Sequence, residues 1–285
     1  MAASAALVTA AAEAAGVSHA VVLLTTKISL AVQIATAFVG LQGLTYALPA
    51  PHSVLSHLLA LETFVQFVEL TFYAWFVYQF NLSTMALTRY ADWFFTTPTM
   101  LLTTIMYFRY QSALRAGAEA EGFAGPDKGF AGPDEPQPQP QPQTEMTIRS
   151  IGKTIGDFIR ENKADVAIIF AANVFMLATG ALGEIGALPL IPATLLGFGG
   201  LAVSFATIYR KFAKDTRVGR TMFAFLVTIW SAYGIAFLFP AAAKNISFNV
   251  LDVFAKNFFG VYLYVQVRRI AAAAAVSAKA AAAAA

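Results

Sequence analysis

Asp252 and Lys256 stand four residues apart in Leu251-Asp252-Val253-Phe254-Ala255-Lys256-Asn257-Phe258-Phe259-Gly260, the middle of a long apolar stretch. On a helix that spacing puts both side chains on one face, one turn apart. Ionisable groups inside an apolar helix are costly to keep and mark functional sites. A lysine amine in an apolar pocket can attack a carbonyl and form a Schiff base. A protonated imine needs an anion beside it, and Asp252 is placed to be one. The alternative is a buried ion pair that only ties helices together. A second stretch, Arg89-Tyr90-Ala91-Asp92-Trp93-Phe94-Phe95-Thr96-Thr97-Pro98, offers another aspartate and an arginine to the same kind of site. Two aspartates, one lysine and one arginine are neutral together while the lysine nitrogen keeps its proton, a consistent network for a low-dielectric interior.

The elements that must position these residues are membrane spans. The chain has 285 residues, 58% hydrophobic and only 12% charged, about half the charge of an ordinary soluble domain. Apolar runs of about 20 residues recur, so the expected class is an all-α, seven-helix polytopic membrane protein. The spans are expected near 20–49, 53–80, 84–109, 164–186, 189–213, 219–241 and 246–272. Fifteen of the 19 Lys and Arg residues fall in the 109–163 segment, the 210–220 turn and the C-terminal tail from Arg268 onward. The positive-inside rule then puts the N-terminus outside and the C-terminus in the cytoplasm. Lys244 is expected in the turn between the sixth and seventh spans, on the opposite side. Glu13 and the lack of a basic start argue against a cleaved signal peptide. With no cysteine, disulfides and thiolate metal sites are excluded. His19, His52 and His57 are too scattered for a metal cluster, and no metal is expected. The net charge of +3 follows membrane topology and is no nucleic-acid signal. No hydrolytic or transferase constellation is present, so an enzyme is not expected.

Outside the spans, residues 1–19 form an Ala-rich segment and 273–285 an Ala-rich tail of high helix propensity, expected to extend the last helix. The membrane domain, 20–272, is interrupted by an insertion at 111–162. A tandem Gly-Phe-Ala-Gly-Pro-Asp repeat (122–135) and a Pro-Gln run (136–143) cannot bury a core and read as a disordered or polyproline-like linker. After it, Ile148, Ile151, Ile155, Phe158 and Ile159 recur at helical spacing opposite Arg149, Lys153 and Arg160. Residues 146–162 therefore read as an amphipathic helix on the cytoplasmic membrane surface, or as an extension of the fourth span.

The motif over Arg89–Pro98 and the Leu-Asp-Val-x-Ala-Lys motif ending at Lys256 closely resemble the third and seventh helices of the microbial (type 1) rhodopsins, the bacteriorhodopsin-like proteins. Met176-Leu177-Ala178-Thr179-Gly180 and Trp230-Ser231-Ala232-Tyr233 fit the same family, and the likeness runs through all seven spans. Ala-Lys-Asn-Phe-Phe-Gly and Glu-Thr-Phe-Val-Gln look most like the rhodopsins of giant algal viruses and their algal relatives. The resemblance implies all-trans retinal on Lys256 as a protonated Schiff base, with Asp92 as primary counterion and proton acceptor and Asp252 as the second. It implies Arg89 as a mobile gate charge. It implies a retinal pocket of Trp93 and Trp230 about the polyene, with Tyr90, Thr96, Thr97, Met100, Met176, Gly180, Tyr233 and Phe237. An apolar Met100 goes with green rather than blue absorption.

The departures from the family are informative. The position of the family's cytoplasmic proton donor, eleven residues after Asp92, is Thr103. A threonine does not ionise near neutral pH and cannot supply a proton. Lys244 occupies one position of the acidic proton-release pair, and Asn173 replaces an aspartate opposite Thr97. Gly234 replaces a proline. Gly197, Gly199 and Gly200 thin the fifth span beside the retinal ring, where a lateral opening would admit a carotenoid.

The second span adds a stripe. Glu62, Gln66, Glu69 and Tyr73 step by four, three and four residues down one face. Ser29, Gln33 and Thr36 on the first span, and Asn249 and Asn257 on the seventh, add polar faces. Such a seam can be a wet cation path, or interhelical glue. The favoured expectation is a light-gated cation channel for protons or monovalent cations. The alternatives are a slow outward proton pump and a photosensory protein whose 111–162 insertion performs sensory transduction. The bilayer, plasma or internal, and retinal are the expected partners, and a homo-oligomer is left open.

Overall fold

The computed structural model describes residues 2–50, 52–120 and 147–284, with side chains over 18–50, 52–117 and 147–283. Helices are the only regular structure among the described residues. They are α1 (Ala2–Gly43), α2 (Ser53–Tyr78), α3 (Leu82–Ala120), α4 (Ile148–Glu161), α5 (Lys163–Glu184), α6 (Leu190–Ile208), α7 (Arg217–Ala236), α8 (Ala241–Asp252) and α9 (Phe258–Ala284). A π turn at Tyr209–Ala213 prolongs α6, and another at Val253–Asn257 joins α8 to α9 as one rod. Consecutive helices touch around a closed ring, α1 to α2, α3, α5, α6, α7 and the α8–α9 rod, which returns to α1. The rod also meets α2 and α3 across the middle, so the lysine and both acid motifs face one interior.

Five helices are long and apolar enough to cross a membrane by composition alone, α1, α2, α5, α6 (with its π turn) and α7. The two others in the ring are α3 and the α8–α9 rod, which carry Arg89, Asp92, Asp252 and Lys256. In α3, Pro98 withholds a backbone donor within the helix. The Thr96 and Thr97 hydroxyls bond the Asp92 and Trp93 carbonyls at 3.0 and 2.7 Å in the turn that Pro98 loosens.

Several ends differ from expectation for local reasons. α1 stops at Gly43, not near 49, because Leu44–Pro49 keeps its apolarity outside the helix, with Leu48 buried at 2% exposure. α7 ends at Ala236 and α8 starts at Ala241, with Pro240 as its N-cap. A residue before proline is driven from the α region. Lys244 is consequently not in a turn: it lies in the first turn of α8 and bonds Glu184 Oε1 at 2.7 Å. α3 continues ten residues past Tyr110, the predicted start of the connecting segment.

α4 is a helix distinct from α5, broken at Asn162 and opened by a Thr147–Ser150 capping box. It buries Phe158 against Phe212 and exposes Ile148. Thr154 Oγ1 and Ser150 Oγ lie 3.0 and 3.3 Å from the two ring nitrogens of His57 at the start of α2. The repeat at 122–135 and the Pro-Gln run at 136–143 lie outside the described residues.

In the same junction His52, just before α2, places Nδ1 2.5 Å from the Tyr110 hydroxyl. Burial lowers the His52 pKa below its ordinary value. The unfolded chain therefore takes up a proton there first, near pH about 6.5, and folding stability falls as the pH drops through that value. Melting temperature should decline between about pH 7.5 and 5.5, and more weakly in His52→Asn. Equal slopes in the two proteins would show that this contact does not titrate.

Candidate functional site

The site is assembled on the π turn at Val253–Asn257, which adds a residue per turn and frees a backbone carbonyl. Gln66 Nε2 donates to the carbonyl of Lys256 at 2.7 Å, pinning the turn to α2. Lys256 is 2% exposed. Its Nζ lies 2.5 Å from Asp92 Oδ2, 3.3 Å from Glu69 Oε1 and 3.7 Å from Asp252 Oδ1. The i,i+4 partner is thus the farthest of three carboxylates, and the one contributed by α3 is the nearest.

The two aspartates differ in their surroundings. Asp252 accepts from Arg89 Nη1 and the Tyr73 hydroxyl, each at 2.7 Å, and from the Tyr233 hydroxyl at 2.6 Å. Asp92 bonds Lys256 through Oδ2, while Oδ1 has no hydrogen-bond partner among the described residues. Three charged or hydroxyl donors hold Asp252 in place, whereas Lys256 is the one side-chain partner of Asp92. Arg89, fully buried, also donates to Tyr73 at 3.1 Å and to Asn249, and stands 5.0 Å over the Phe76 ring. Its ion pair is with Asp252. The neutral count of four groups needs correction, because Glu69 makes a third carboxylate against two cations.

Beside Lys256 opens an apolar cavity walled by α3, α5, α6, α7 and the rod, the kind of place that takes a small apolar cofactor. Of the ten residues expected on its wall, Tyr90, Trp93, Thr97, Met100, Met176, Gly180, Trp230, Tyr233 and Phe237 are there. Thr96 is not; it is buried against its own helix, bonded to the Asp92 carbonyl. A Cβ on Gly180 would fall 2.5 Å from the Tyr90 hydroxyl, so glycine there makes room for that ring. At Gly234 a Cβ would fall 2.6 Å from Phe198, and the bare backbone lets that ring close over the wall. Gly200 packs against the Ala172 carbonyl and Met176 of α5, so it serves helix contact, while Gly197 lines the cavity. The cavity fits the group expected on Lys256: apolar, walled by two tryptophans, and reaching the lysine amine.

Residues that sequence reasoning missed include Phe248, Ala255, Phe198 and Leu201, all on the wall. Phe248 precedes Asp252 by the same four-residue step that joins Asp252 to Lys256, a signal that could have found it. The others carry none, since an apolar residue in a membrane helix faces lipid, a neighbour or a cavity without changing type.

The α2 stripe is buried along its length: Glu62, Gln66, Glu69 and Tyr73. Gln66 and Asn257 meet at the Thr36 hydroxyl, 2.7 and 2.5 Å away. Asn249 bonds the Thr25 and Thr26 hydroxyls at 2.8 and 3.0 Å, and its carbonyl accepts from Ser29 at 2.9 Å. Thr103 bonds the Glu62 carboxyl. Asn173 Nδ2 donates to Thr97 at 2.9 Å. Among the described residues no group of three or more potential ligands could hold a metal ion.

No curated protein matches the chain. Solved structures share the fold. The viral rhodopsin OLPVRII superposes with a TM-score of 0.64 at 23% identity, over 87% of this chain and 98% of that one. The rhodopsin of Exiguobacterium sibiricum gives 0.59 at 13% identity, over 89% and 98%. A blue light-absorbing proteorhodopsin from Med12 gives 0.58 at 15%, over 87% and 97%. The family model "bacteriorhodopsin-like protein" matches residues 24–269. The chain therefore belongs to the bacteriorhodopsin-like family, the microbial rhodopsins: multi-pass membrane proteins that bind retinal through a Schiff base to a lysine and serve light-driven ion transport.

Proposed function

We propose that Lys256 carries the retinal and that light opens a cation path along the seam between α1, α2 and the α8–α9 rod. The observation that supports the path is a run of buried polar atoms along that seam with no hydrogen-bond partner among the described residues. They are both amide atoms of Gln33, Glu69 Oε2, Asn257 Nδ2 and Glu62 Oε2. Buried polar atoms are normally paired, and a clustered exception calls for water or an ion. Carboxyl and amide oxygens in a line are the groups that replace a cation's hydration shell.

Bound retinal supplies the light-driven change of shape at the lysine nitrogen. The proton on that nitrogen points at Asp92, 2.5 Å away, and passes to it. Asp92 is then neutral, while Asp252 keeps its contacts with Arg89 and two tyrosines. Loss of the Lys256–Asp92 attraction frees α3 from the rod, and the seam beside Glu69 loosens. The excess of Lys and Arg on one side argues for an external N-terminus and a cytoplasmic α4.

Photocurrent against voltage, in cells supplied with retinal, tests the reading. A current that reverses with the cation gradient is expected. Glu69→Gln should cut that current about tenfold or change its ion selectivity, because losing a carboxylate that faces a low-dielectric path costs a passing cation more than 1.4 kcal/mol. Its spectrum should stay near wild type, since Asp92 is the closer anion. Unchanged current and selectivity in Glu69→Gln would count against the path. A second reading, an outward proton pump, is favoured by the direct Lys256–Asp92 contact and would show current outward at every voltage. A normal spectrum with no current would favour signalling through the insertion.

A further inference from the structure

Glu184 and Lys244 have no part in the mechanism above, yet their pair is unlike the others outside the centre. Lys244 Nζ lies 2.7 Å from Glu184 Oε1, and each side chain is only 12% exposed. In the Arg160–Asp157 and Lys211–Asp165 pairs every partner is at least 24% exposed. Each member also stands at the unfavourable end of its helix. Glu184 closes α5, where the last carbonyls are negative, and Lys244 lies in the first turn of α8, where the free N–H groups are positive. Local helix electrostatics therefore favours neither charge, and each depends on the other.

The pair sits behind one wall of the cavity. Lys244 Nζ is 4.9 Å from the centre of the Phe237 ring, and Phe237 lines the cavity. From the α5 side the same ring is backed by Gly183, next to Glu184. A Cβ on Gly183 would fall 2.7 Å from Phe237 Cζ and 2.8 Å from Ala193, another wall residue. One aromatic ring thus separates Lys244 from the cavity. This wall is built by α5, α6 and the end of α7, whereas Lys256 and its three carboxylates stand on α2, α3 and the rod. A long group fixed at Lys256 extends away from the rod, towards that wall.

We propose that the Glu184–Lys244 pair tunes the colour of the bound retinal, by holding two opposite charges behind the wall remote from Lys256. In a conjugated protonated imine the positive charge lies at the nitrogen in the dark, and absorption moves part of it along the chain away from the nitrogen. A lone cation behind the far wall opposes that movement and raises the excitation energy. A lone anion there assists it and lowers the excitation energy. Paired at 2.7 Å, the two charges largely cancel, and breaking the pair exposes one of them in a low-dielectric setting. The inference rests on retinal being carried by Lys256.

Absorption spectra of the protein loaded with all-trans retinal test it. Glu184→Gln leaves Lys244 unopposed and should move the visible band to shorter wavelength by several nanometres. Lys244→Gln leaves Glu184 unopposed and should move it to longer wavelength. The double variant restores the charge balance and should return close to the wild-type band. Bands that stay in place in both single variants, or that move the same way, would overturn the inference and leave the pair a strut between α5 and α8. Thermal melts of the retinal-free protein report that strut separately: each single variant should melt below wild type, and the double should recover part of the loss. If a single variant does not fold, the exchange Glu184→Lys with Lys244→Glu keeps a pair and sets the carboxylate beside Phe237. Its band should lie at longer wavelength than wild type, and an unmoved band there would equally overturn the inference. A wild-type protein that forms no visible band with retinal fails at the Lys256 linkage, which takes this inference with it and is distinct from either spectral result.

Discussion

Lys256→Ala is expected to abolish the visible chromophore that the wild-type protein forms with all-trans retinal, and to lower the melting temperature of the retinal-free protein. The first effect is complete because no other described lysine can substitute. Lys27 lies exposed on α1, and Lys244 is bound to Glu184; neither lines the cavity. The second effect comes from the anions left behind. Asp92 bonds nothing except Lys256, and Glu69 has no other charged contact. Removing one partner of a buried pair costs about 3–5 kcal/mol, because the remaining charge is uncompensated until it takes a proton. At roughly 2–4 °C per kcal/mol for a chain of this size, the melt should move by about 10 °C. Absorption spectra with added retinal and thermal melts without it check the two parts. A visible band in Lys256→Ala would move the linkage to another lysine and remove the basis of the proposed mechanism.

The parts of this site that were legible in the sequence are those in which residue type carries the information. Lysine and aspartate inside apolar helices announce themselves, and a four-residue step puts them on one face whatever surrounds them. What was not legible is which neighbour a face meets. The step between Asp252 and Lys256 placed Asp252 beside the lysine, and only the family resemblance put Asp92 first; in the structure the lysine nitrogen faces α3, and Asp92 is 1.2 Å closer. Arg89 was expected to balance both aspartates, and it pairs with Asp252. Glu69 belonged to a stripe read as a path wall, but the same stripe abuts the rod and brings Glu69 to the lysine. The fold was legible for a similar reason. Hydropathy marks a span, but it continues into Leu44–Leu48, a connection that is apolar because part of it is buried. Helix ends were therefore misplaced where loops dip into the core.

Arg89 and Asp252 should behave as one unit. Arg89→Gln alone leaves Asp252 without its cation, and removes the donor to Tyr73 and Asn249. The expected loss is about 3–5 kcal/mol, read as earlier thermal loss of chromophore absorbance. Asp252→Asn alone strands a fully buried guanidinium, which cannot shed its proton, and should cost a similar amount. The double variant removes both charges while Gln and Asn still offer hydrogen bonds to Tyr73, Tyr233 and Asn249. Its loss should fall short of the sum of the singles by about 2–3 kcal/mol, the coupling of groups in direct contact. Lys256 would still face Asp92 at 2.5 Å, so the double variant should keep a visible band. Additive losses, within about 0.5 kcal/mol, would mean that the pair is not coupled in the folded protein, and that Arg89 is held by its ring and amide contacts instead. In that case Arg89 could swing without disturbing Asp252, and the light-driven change would have to be sought in the arginine itself rather than in the seam beside Glu69.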